Sequence, residues 1–482
     1  MITTALTAGQ VVALERLQTF LANPTRTTFS LQGGAGVGKT FLVSEFVRRL
    51  LGEGRRVTVA APTHKACRVL RTKLEAAGIS WVFKPKADDE VPPGTAVVDT
   101  TAALLGIRPV IVDEQTEDEV HFQPTDRGSL SRAVAGKMPV LVVDEVSMVG
   151  RDDFLMLASV MREHGAKLVA VGDEGQLPPV KKQAIDFAAD FDDGCLLDEV
   201  VRQARGSAII ELAWAIRRGD SSWEEISGPG IEEVGDAAAA FLERVTPPVD
   251  DEAERAVFIA YRNVVVDGVQ ERACRKVYGH GARNFAEGEL VLATRAGYRE
   301  TYGTWRGRDG KLRPSRFPRF EQVVAVADQL RVLSFDREHE DPTYGVPVTL
   351  DRVDLPADAE GKVFTTHYLS AEQLANQDHP YNVRKRELAA EARRLQDLVR
   401  ELRARKQGEQ AATVDEQRKR AWADFFKHEQ KIISFSHPFA ITSHKSQGST
   451  YREVFVDAGD LLRFNRKALY VAVTRPSQRL VM

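Results

Sequence analysis

The sequence predicts an α/β protein with two parallel-sheet domains, each of which carries an inserted segment. Alternating helical and strand patterns, typical of βαβ units and a parallel sheet, occur twice along the chain. Two stretches of different composition interrupt them. The predicted division is a first α/β domain at 1–98 and 137–195, a hairpin insertion at 99–136, a second α/β domain at 196–284 and 432–482, and a β-barrel with a helical arm at 285–431.

Length and composition agree with this multidomain prediction. A chain of 482 residues is too long for one hydrophobic core. Its content of 43% hydrophobic and 28% charged residues is typical of a globular protein. The net charge of −3 argues against a protein that coats nucleic acid passively, but it leaves room for a local basic track.

The cysteines and the N-terminus favour a reducing compartment. Cys67, Cys195 and Cys274 are far apart and form neither a metal-type pair nor a disulfide framework. The start of the chain lacks the basic and apolar regions of a signal peptide, and no apolar stretch is long enough to span a bilayer. We therefore expect a cytoplasmic protein that is not secreted and has no membrane partner.

The first α/β set contains the motif "GGAGVGKT", between the apolar strand "TTFSL" and the helical pattern "FLVSEFVRRLL". It fits G-x-x-x-x-G-K-[ST], in which glycines let backbone N–H groups surround phosphate oxygens. Lys39 is predicted to reach the β- and γ-phosphates of ATP, and Thr40 to hold Mg²⁺. The ATP-binding residues predicted here are Gly33, Gly34, Ala35, Gly36, Val37, Gly38, Lys39 and Thr40.

A pair of carboxylates follows the apolar run "VLVV" at the predicted edge of the same sheet. Asp144 suits a Mg²⁺ ligand that acts through water, and Glu145 is placed to polarise the attacking water. Upstream, Gln10 in "LTAGQ" offers an amide donor and acceptor that match the edge of adenine. Gln10 could equally be a residue that starts a helix.

The second α/β set supplies two arginines. Arg202 in "VVRQARGS" precedes the helix "AIIELAWAIRRG", and Arg475 in "LYVAVTRP" follows a predicted buried strand. Each could be a surface arginine, part of a structural ion pair, or an arginine finger that adds positive charge at a transferred phosphoryl group. If the two α/β domains face each other, ATP would lie in the cleft and both arginines would reach its γ-phosphate.

The ordered motifs carry a clear resemblance. "LTAGQ", "GGAGVGKT", "APTHKA", "DEVSM", "GDEGQLPPV", "VVRQ", "AYRN", "ITSHKSQGST" and "YVAVTR" occur in this order over nearly the whole chain. The set resembles superfamily 1 helicases of the 5′-to-3′ branch (RecD, Pif1 and Dda types), and most closely the bacteriophage Dda type. The resemblance implies two RecA-like P-loop NTPase domains, a pin hairpin, an SH3-like barrel with a helical arm, and a bacterial or phage-infected host cell.

The resemblance also implies that single-stranded DNA crosses both RecA-like domains as ATP is hydrolysed. Hydroxyl, amide and ammonium groups suit phosphate contacts that do not depend on base sequence. Alternatives remain, since Thr442 could simply cap a helix and His64 could be a loop histidine. In this chain Ala102 and Ala103 stand where Dda-like proteins have a histidine-serine pair. Any DNA contact that this pair makes next to Thr100 is therefore missing or replaced here. The implied DNA-contacting residues are Thr63, His64, Thr100, Thr442, His444 and Lys445.

Strand separation needs a wedge, and the hairpin at 106–136 matches the family's pin. Phe122 is its best candidate for stacking at the DNA fork, and it could equally pack the hairpin against its neighbour; both roles are compatible. Trp422, Phe425 and Phe426 match the arm that braces the pin, as packing residues. A stretch rich in basic and aromatic residues at 295–320 suits single strands or a solvated barrel loop.

The segment "GDEGQLPPV" resembles the motif that links the two domains. Gln176 is predicted to sense the γ-phosphate, and Pro178 and Pro179 fix φ at successive positions, so that a shift at Gln176 is transmitted. Gly448 of "HKSQGST" completes the predicted ATP-binding set.

The sequence thus predicts an ATP- and Mg²⁺-dependent 5′-to-3′ DNA helicase that serves replication, repair or recombination. Its predicted partners are single-stranded DNA, the DNA fork and replication or single-strand-binding proteins, and its predicted state is a monomer. Rivals are an RNA-directed or 3′-to-5′ motor, an ATPase that remodels protein on DNA, and a regulatory binding module. The 3′-to-5′ branch usually has a serine-isoleucine-tyrosine-type sequence where this chain has "LPPV".

Overall fold

A computed structural model describes residues 6–83, 91–110, 121–124, 130, 138–180, 182–201, 206–301, 304–306, 312–314, 319–324, 326–353, 355 and 362–482. The chain forms two compact units. Unit one comprises the described residues within Met1–Arg244, Asp251–Val266 and Ala440–Met482. Unit two comprises those within Val245–Asp250 and Asp267–Phe439.

The described helices, in chain order, are α1 (Ala8–Ala22), α2 (Lys39–Gly52), α3 (His64–Ala76), α4 (Thr101–Leu104), α5 (Arg151–Glu163), α6 (Ala208–Arg218), α7 (Ala237–Arg244), α8 (Asn263–Tyr278), α9 (Ala371–Ala375), α10 (Pro380–Ala404), α11 (Gly408–Glu429), α12 (Ser443–Ser446), α13 (Ala458–Phe464) and α14 (Arg466–Val473). No α-helix in these ranges combines the length and the apolar character needed to cross a bilayer.

The described strands, in chain order, are β1 (Thr28–Gly33), β2 (Val57–Ala61), β3 (Trp81–Phe83), β4 (Ala96–Thr100), β5 (Ile107–Val110), β6 (His121–Pro124), β7 (Val140–Val143), β8 (Lys167–Gly172), β9 (Asp193–Leu197), β10 (Ile231–Glu232), β11 (Ala256–Ala260), β12 (Leu290–Ala293), β13 (Gly297–Thr301), β14 (Thr304–Arg306), β15 (Leu312–Pro314), β16 (Arg319–Val324), β17 (Gln329–Phe335), β18 (Val346–Arg352), β19 (Val363–Tyr368), β20 (Ile432–Ile433), β21 (Phe435–Ser436), β22 (Ala440–Thr442), β23 (Tyr451–Val456) and β24 (Pro476–Val481).

The first sheet of unit one has seven parallel strands in the order β3-β4-β2-β7-β8-β1-β9. Its central strands are buried along their whole length, as a parallel sheet covered by helices on both faces requires. Strand β8 lies between β1 and β7, so the loops that follow these three strands meet at one edge of the sheet.

The second sheet of unit one has five parallel strands in the order β10-β24-β23-β11-β22. The tandem α/β architecture predicted from the sequence is confirmed by these two sheets. One local prediction is wrong, because "ALYVAVT" does not form a buried strand before Arg475. It lies in helix α14, where the six residues from Ala468 to Val473 are all buried. A short run that is apolar on every side fits a buried helix as well as a buried strand.

The insertion in the first α/β domain contains the predicted hairpin. Strands β5 and β6 pair antiparallel, with Phe122 opposite Pro109. The Phe122 side chain lies outside the described part of the structure, so its role as wedge or packing residue stays a prediction.

Unit two contains the predicted small β-structure and the helical arm. Six strands follow the order β20-β19-β18-β17-β12-β21, and the two edge strands are separated along the chain by Ser434 alone, which gives the sheet a nearly closed, barrel-like form. Helices α10 and α11 form an antiparallel pair, in which Lys385 lies 2.8 Å from Glu429 and Arg403 lies 3.9 Å from Asp415. The four-part domain division predicted from the sequence stays a prediction.

Helix α5 offers a test of the packing under the first sheet. Phe154 is fully buried and its ring lies 4.7 Å from that of Phe191, whereas the neighbouring Leu155 is 41% exposed. We expect Phe154→Ala to lower the free energy of unfolding by about 3–5 kcal/mol and Leu155→Ala to change it by less than about 0.5 kcal/mol. Thermal and urea unfolding followed by circular dichroism would measure both; equal losses would contradict this packing.

Candidate active site

The turn between β1 and α2 has a shape that requires glycine. Gly36 and Gly38 have φ angles of 76° and 74°, in the left-handed region that favours glycine. A Cβ atom on Gly38 would lie 2.5 Å from Nε2 of Gln10, and one on Gly33 would lie 2.7 Å from Cγ2 of Val37. A backbone that curls this tightly directs successive N–H groups into one concave surface, which suits phosphate oxygens.

Lys39 begins helix α2 and turns its ammonium group into this loop. Its Nζ donates to the carbonyl oxygens of Gly33 at 2.6 Å and Gly34 at 3.0 Å. Burial lowers the pKa of Lys39, and the carboxylates of Asp173, Glu145 and Asp144 oppose that shift. The lysine therefore lies near carboxylates in the lining of a cavity, where an anionic ligand would compensate its desolvated charge.

The strand order brings the predicted chemistry together. The loops after β1, β7 and β8 line a cavity of about 340 Å³, together with residues that follow β22 and with helix α14. Its lining residues are Gly34, Ala35, Gly36, Gly38, Lys39, Thr40, Ala66, Val69, Lys73, Asp144, Glu145, Asp173, Gln176, Ile210, Gly448, Ser449, Thr450, Tyr470, Thr474 and Arg475.

Thr40 and Asp144 both face this cavity and fit a divalent cation. Burial raises the pKa of Asp144 to about 6; the charge of Glu145 adds to this shift and that of Lys73 opposes it. The Nζ of Lys73 donates to Oγ1 of Thr40 at 3.1 Å. Hydroxyl and carboxylate oxygens are ligands that Mg²⁺ prefers, so Thr40 and Asp144, which line the same cavity, fit the predicted metal.

Glu145 has an unusual backbone. Its φ and ψ angles are 51° and 39°, which place a residue other than glycine in the left-handed region. Its N–H donates to Oδ1 of Asp144 at 2.9 Å. Such strain costs about 1–3 kcal/mol and clusters at functional sites. Both adjacent carboxylates, those of Asp144 and Glu145, line the cavity.

Asp173 connects the two sheets of unit one. It is 1% exposed, and it accepts hydrogen bonds from the hydroxyl of Tyr470, from Nε of Arg217 at 3.0 Å and from the N–H of Gly175 at 2.9 Å. The Tyr470 hydroxyl in turn accepts from the N–H of Ala35 at 3.0 Å. The P-loop is thus tied through Tyr470 to the end of β8.

Sequence reasoning missed Tyr470, Arg217 and a third residue, Trp214. The Nε1 of Trp214 donates to the carbonyl oxygen of Ala35 at 3.0 Å, and a Cβ on Gly34 would lie 2.8 Å from its ring. Trp214 and Arg217 are three residues apart in α6, so they share one face of the helix. The three-residue spacing could have indicated that Trp214 and Arg217 share one helix face. It does not indicate that this face contacts the P-loop and Asp173.

Gln176 is buried at the predicted junction between the motifs. Its N–H donates to the Asp173 carbonyl oxygen at 3.0 Å. Its side-chain oxygen lies 3.5 Å from Nε2 of Gln447, which also donates to the carbonyl oxygen of Leu177 at 3.2 Å. Gln447, another residue that sequence reasoning missed, precedes the predicted nucleotide contact Gly448, whose φ is 72°. Both sheets therefore contribute to the contacts around Gln176.

Of the two predicted arginine fingers, the structure describes Arg475 and not Arg202. Arg475 lines the cavity and is 8% exposed. Its guanidinium donates to the carbonyl oxygens of Val471 at 2.9 Å and Ser449 at 3.2 Å, so it also holds the local backbone. Arg202 lies outside the described residues, and its role stays a prediction.

Gln10 has the helix-start geometry that was the alternative to its adenine role. Its backbone N–H and side-chain oxygen form a capping box with Thr7. Its Nε2 donates to the carbonyl oxygen of Val37 at 3.0 Å. The side chain is 2% exposed, and this hydrogen bond holds the P-loop backbone at Val37. An adenine contact would require these bonds to be exchanged, and the adenine role stays a prediction.

The predicted DNA-contacting threonines all cap helices at sheet edges. The hydroxyls of Thr63, Thr100 and Thr442 accept from backbone N–H groups at the starts of α3, α4 and α12. This is the alternative kept for Thr442, and it applies to all three. Strands β2 and β4, which precede two of these helices, are neighbours, so Thr63 and Thr100 lie at one edge of the first sheet.

The histidines and the lysine of the predicted track lie beside these caps. The ring of His64 lies 6.2 Å from that of Phe83. His444 is half-buried, burial lowers its pKa, and Lys445 is exposed. The structure therefore places Thr63, His64 and Thr100 at the first sheet and Thr442, His444 and Lys445 at the second.

Comparison with known proteins agrees with this architecture. Residues 5–229 match the family model described as AAA domain, and residues 437–482 match the model described as UvrD-like helicase C-terminal domain. An uncharacterized protein of Acanthamoeba polyphaga mimivirus is 27% identical over 199 residues, which are 40% of this chain and 38% of that protein. The match thus spans less than half of that relative.

The solved structures that match this chain include Pif1 helicases. That of Candida albicans has a TM-score of 0.43 at 16% identity, with 100% of this chain and 95% of that chain covered. That of a Bacteroides species, in complex with ADP-AlF4, has a TM-score of 0.39 at 14% identity, with 99% and 92% covered. The two family models match opposite ends of the motif series, and the described residues that line the cavity lie within the matched ranges.

Proposed function

We propose that this chain is an ATP-dependent DNA helicase that moves 5′ to 3′ on single-stranded DNA and separates duplexes. One observation carries the proposal: the P-loop, the paired carboxylates and residues from the second sheet line the same cavity. A nucleotide held there contacts both sheets of unit one, so its hydrolysis changes contacts that join them.

The proposed site binds ATP through the P-loop backbone, with Lys39 beside the β- and γ-phosphates. Mg²⁺, when bound, supplies positive charge that polarises the phosphoryl oxygens. Thr40 and Asp144 are the residues that hold it. Gly448 comes shortly after β22, an edge strand of the second sheet. It lets the backbone approach the nucleotide closely.

Hydrolysis needs a positioned water and stabilisation of charge on the transferred group. In our proposal Glu145 accepts a proton from the water, since its carboxylate faces the cavity beside Asp144. Lys39 and Arg475 stabilise the developing negative charge, and Arg202 is proposed for the same role. Gln176 offers its amide to the γ-phosphate.

The contact between Gln176 and Gln447 supports a route from nucleotide to DNA. Gln447 follows α12, the short helix that holds the proposed DNA contacts His444 and Lys445. A shift at Gln176 on loss of the γ-phosphate would move Gln447, and the two prolines after Leu177 limit the local motion that could absorb the shift. Thr63, His64, Thr100 and Thr442 complete the proposed track.

At a fork, the hairpin of β5 and β6 is the proposed wedge, with Phe122 as the stacking residue. We also propose the Dda-type relationship, a monomeric state and work with replication or single-strand-binding proteins. The comparisons support an ATPase of helicase type. The finer assignments in this paragraph rest on the sequence motifs.

Replacement of Lys39 tests the nucleotide site. We expect Lys39→Ala to reduce ATPase activity stimulated by single-stranded DNA at least ~100-fold, because it removes the cation nearest the phosphates. Arg48→Ala is the matched control, since Arg48 is a cation in the same helix whose side chain is 52% exposed. Circular dichroism would confirm that both variants fold. Stimulated turnover retained in Lys39→Ala would contradict the site.

Direction and substrate are tested with matched tailed duplexes. We expect the chain to unwind DNA with a 5′ tail and to leave DNA with a 3′ tail intact, in a fluorescence strand-separation assay with ATP and Mg²⁺. Duplexes of RNA with the same tails form the second arm. Unwinding restricted to 3′ tails or to RNA would overturn the proposal in direction or substrate, and ATP hydrolysis without unwinding would favour an ATPase that remodels protein on DNA.

A further inference from the structure

An aromatic cluster lies at the carboxyl edge of the second sheet of unit one, outside the lining of the nucleotide cavity. The rings of Tyr261 and Phe464 are stacked, with centroids 5.1 Å apart and planes within 5° of each other. The ring of His444 lies 5.8 Å from that of Tyr261. Tyr261 directly follows β11 and His444 follows β22, and these two strands are neighbours.

A buried carboxylate fixes the loop that presents Tyr261. Oδ2 of Asp460 accepts from the N–H groups of Tyr261 at 2.7 Å and Arg262 at 3.0 Å, and its Oδ1 accepts from Nε of Arg262 at 2.5 Å. Asp460 is 5% exposed, and these bonds lower its pKa although burial opposes the shift. Because Asp460 and Phe464 belong to the same helix, α13, the carboxylate also sets the distance between the two rings.

The cluster is exposed in a way that folding alone does not require. Phe464 is 47% exposed although it is a large apolar side chain at the surface of a well-packed sheet. Val264, close to Tyr261 in the chain, is 69% exposed. Ligands of open α/β sheets bind outside the carboxyl ends of the strands, which is where this exposed ring lies.

Two guanidinium groups lie beside the exposed ring, and that of Arg262 is paired with Asp460. The guanidinium carbons of Arg262 and Arg463 lie 5.5 Å and 6.0 Å from the centroid of Phe464. Lys445, beside His444, is exposed at the same sheet edge. An apolar aromatic face bordered by cations complements a polyanion that carries flat apolar rings, which is the chemistry of single-stranded nucleic acid.

We propose that Tyr261 and Phe464 form a stacking platform for one base of single-stranded DNA, with Arg463 and Lys445 at the adjoining phosphates. The proposal rests on the proposed function and extends it, because it adds a base contact to a track otherwise made of phosphate contacts. The platform is tolerant of base identity, since every base offers a π-face. It also places a rigid aromatic contact on the second sheet, beside the helix that follows Thr442.

The test compares oligothymidylate with an abasic oligonucleotide of equal length, which keeps the phosphates and removes the bases. Binding is measured by fluorescence anisotropy at one salt concentration without ATP. We expect Phe464→Ala to weaken oligothymidylate binding roughly 5- to 100-fold, the range that follows from one stacked base. Binding of the abasic oligonucleotide should stay within about twofold of wild type, and Phe464→Tyr should retain both affinities.

Leu462→Ala is the matched control, because Leu462 is 36% exposed in the same helix and is not part of the stacked pair. It should leave both affinities unchanged. Equal weakening of both oligonucleotides by Phe464→Ala, or no weakening of either, would overturn the platform while the proposed function stands. Failure of the wild-type chain to bind either oligonucleotide would overturn the proposed function and the platform with it.

Discussion

Asp173 ends β8 with a carboxylate that is 1% exposed and that receives hydrogen bonds from Tyr470, Arg217 and the backbone of Gly175. A buried charge of this kind is stable only while its partners remain, and loss of one partner costs about 1–3 kcal/mol or more. Tyr470 lies in α14 and Arg217 in α6, two helices of the second α/β set, whereas Asp173 belongs to the first sheet. This carboxylate therefore joins the two sheets beside the nucleotide cavity, together with the contacts of Trp214 and Gln447.

The same constraint explains how the P-loop is held. The Tyr470 hydroxyl accepts from Ala35 while it donates to Asp173, so a single oxygen joins the loop, the end of β8 and helix α14. Burial and the neighbouring Asp173 both raise the pKa of Tyr470, which keeps the hydroxyl protonated as a donor. Trp214 contacts Ala35 from a second helix. These contacts hold the P-loop in its shape, so the binding of ATP does not have to order it.

The parts of the site that the sequence predicts are those that local chemistry determines. The glycines at Gly36 and Gly38 are required by positive φ angles, and Asp144 follows an apolar strand directly, so both patterns are visible along the chain. The observed order β7-β8-β1 brings these loops together, because the carboxyl ends of parallel strands lie at one edge of the sheet. The α/β class, the hairpin and the helical arm were likewise predictable from periodicity.

The remaining contacts depend on packing between distant segments. Tyr470 and Ala35 are 435 residues apart in the chain, and Gln447 and Gln176 are 271 apart. No spacing rule connects such pairs. Helix α14 was mistaken for a strand because its residues are buried on every side, which removes the periodicity that distinguishes the two. Gln10 has chemistry that fits two roles; its contacts with Thr7 and Val37 give it the helix-start geometry, and the adenine role stays a prediction.

A double-mutant cycle between Asp173→Asn and Tyr470→Phe tests the central role of Asp173 most directly. Binding of a fluorescent ADP analogue to the two single variants and the double variant gives their coupling free energy. If the two groups act through one hydrogen bond that holds the P-loop, the double variant loses little more affinity than the weaker-binding single variant, with a coupling above roughly 0.5 kcal/mol. Losses that simply add would contradict the account, because they would show that Asp173 and the P-loop respond independently.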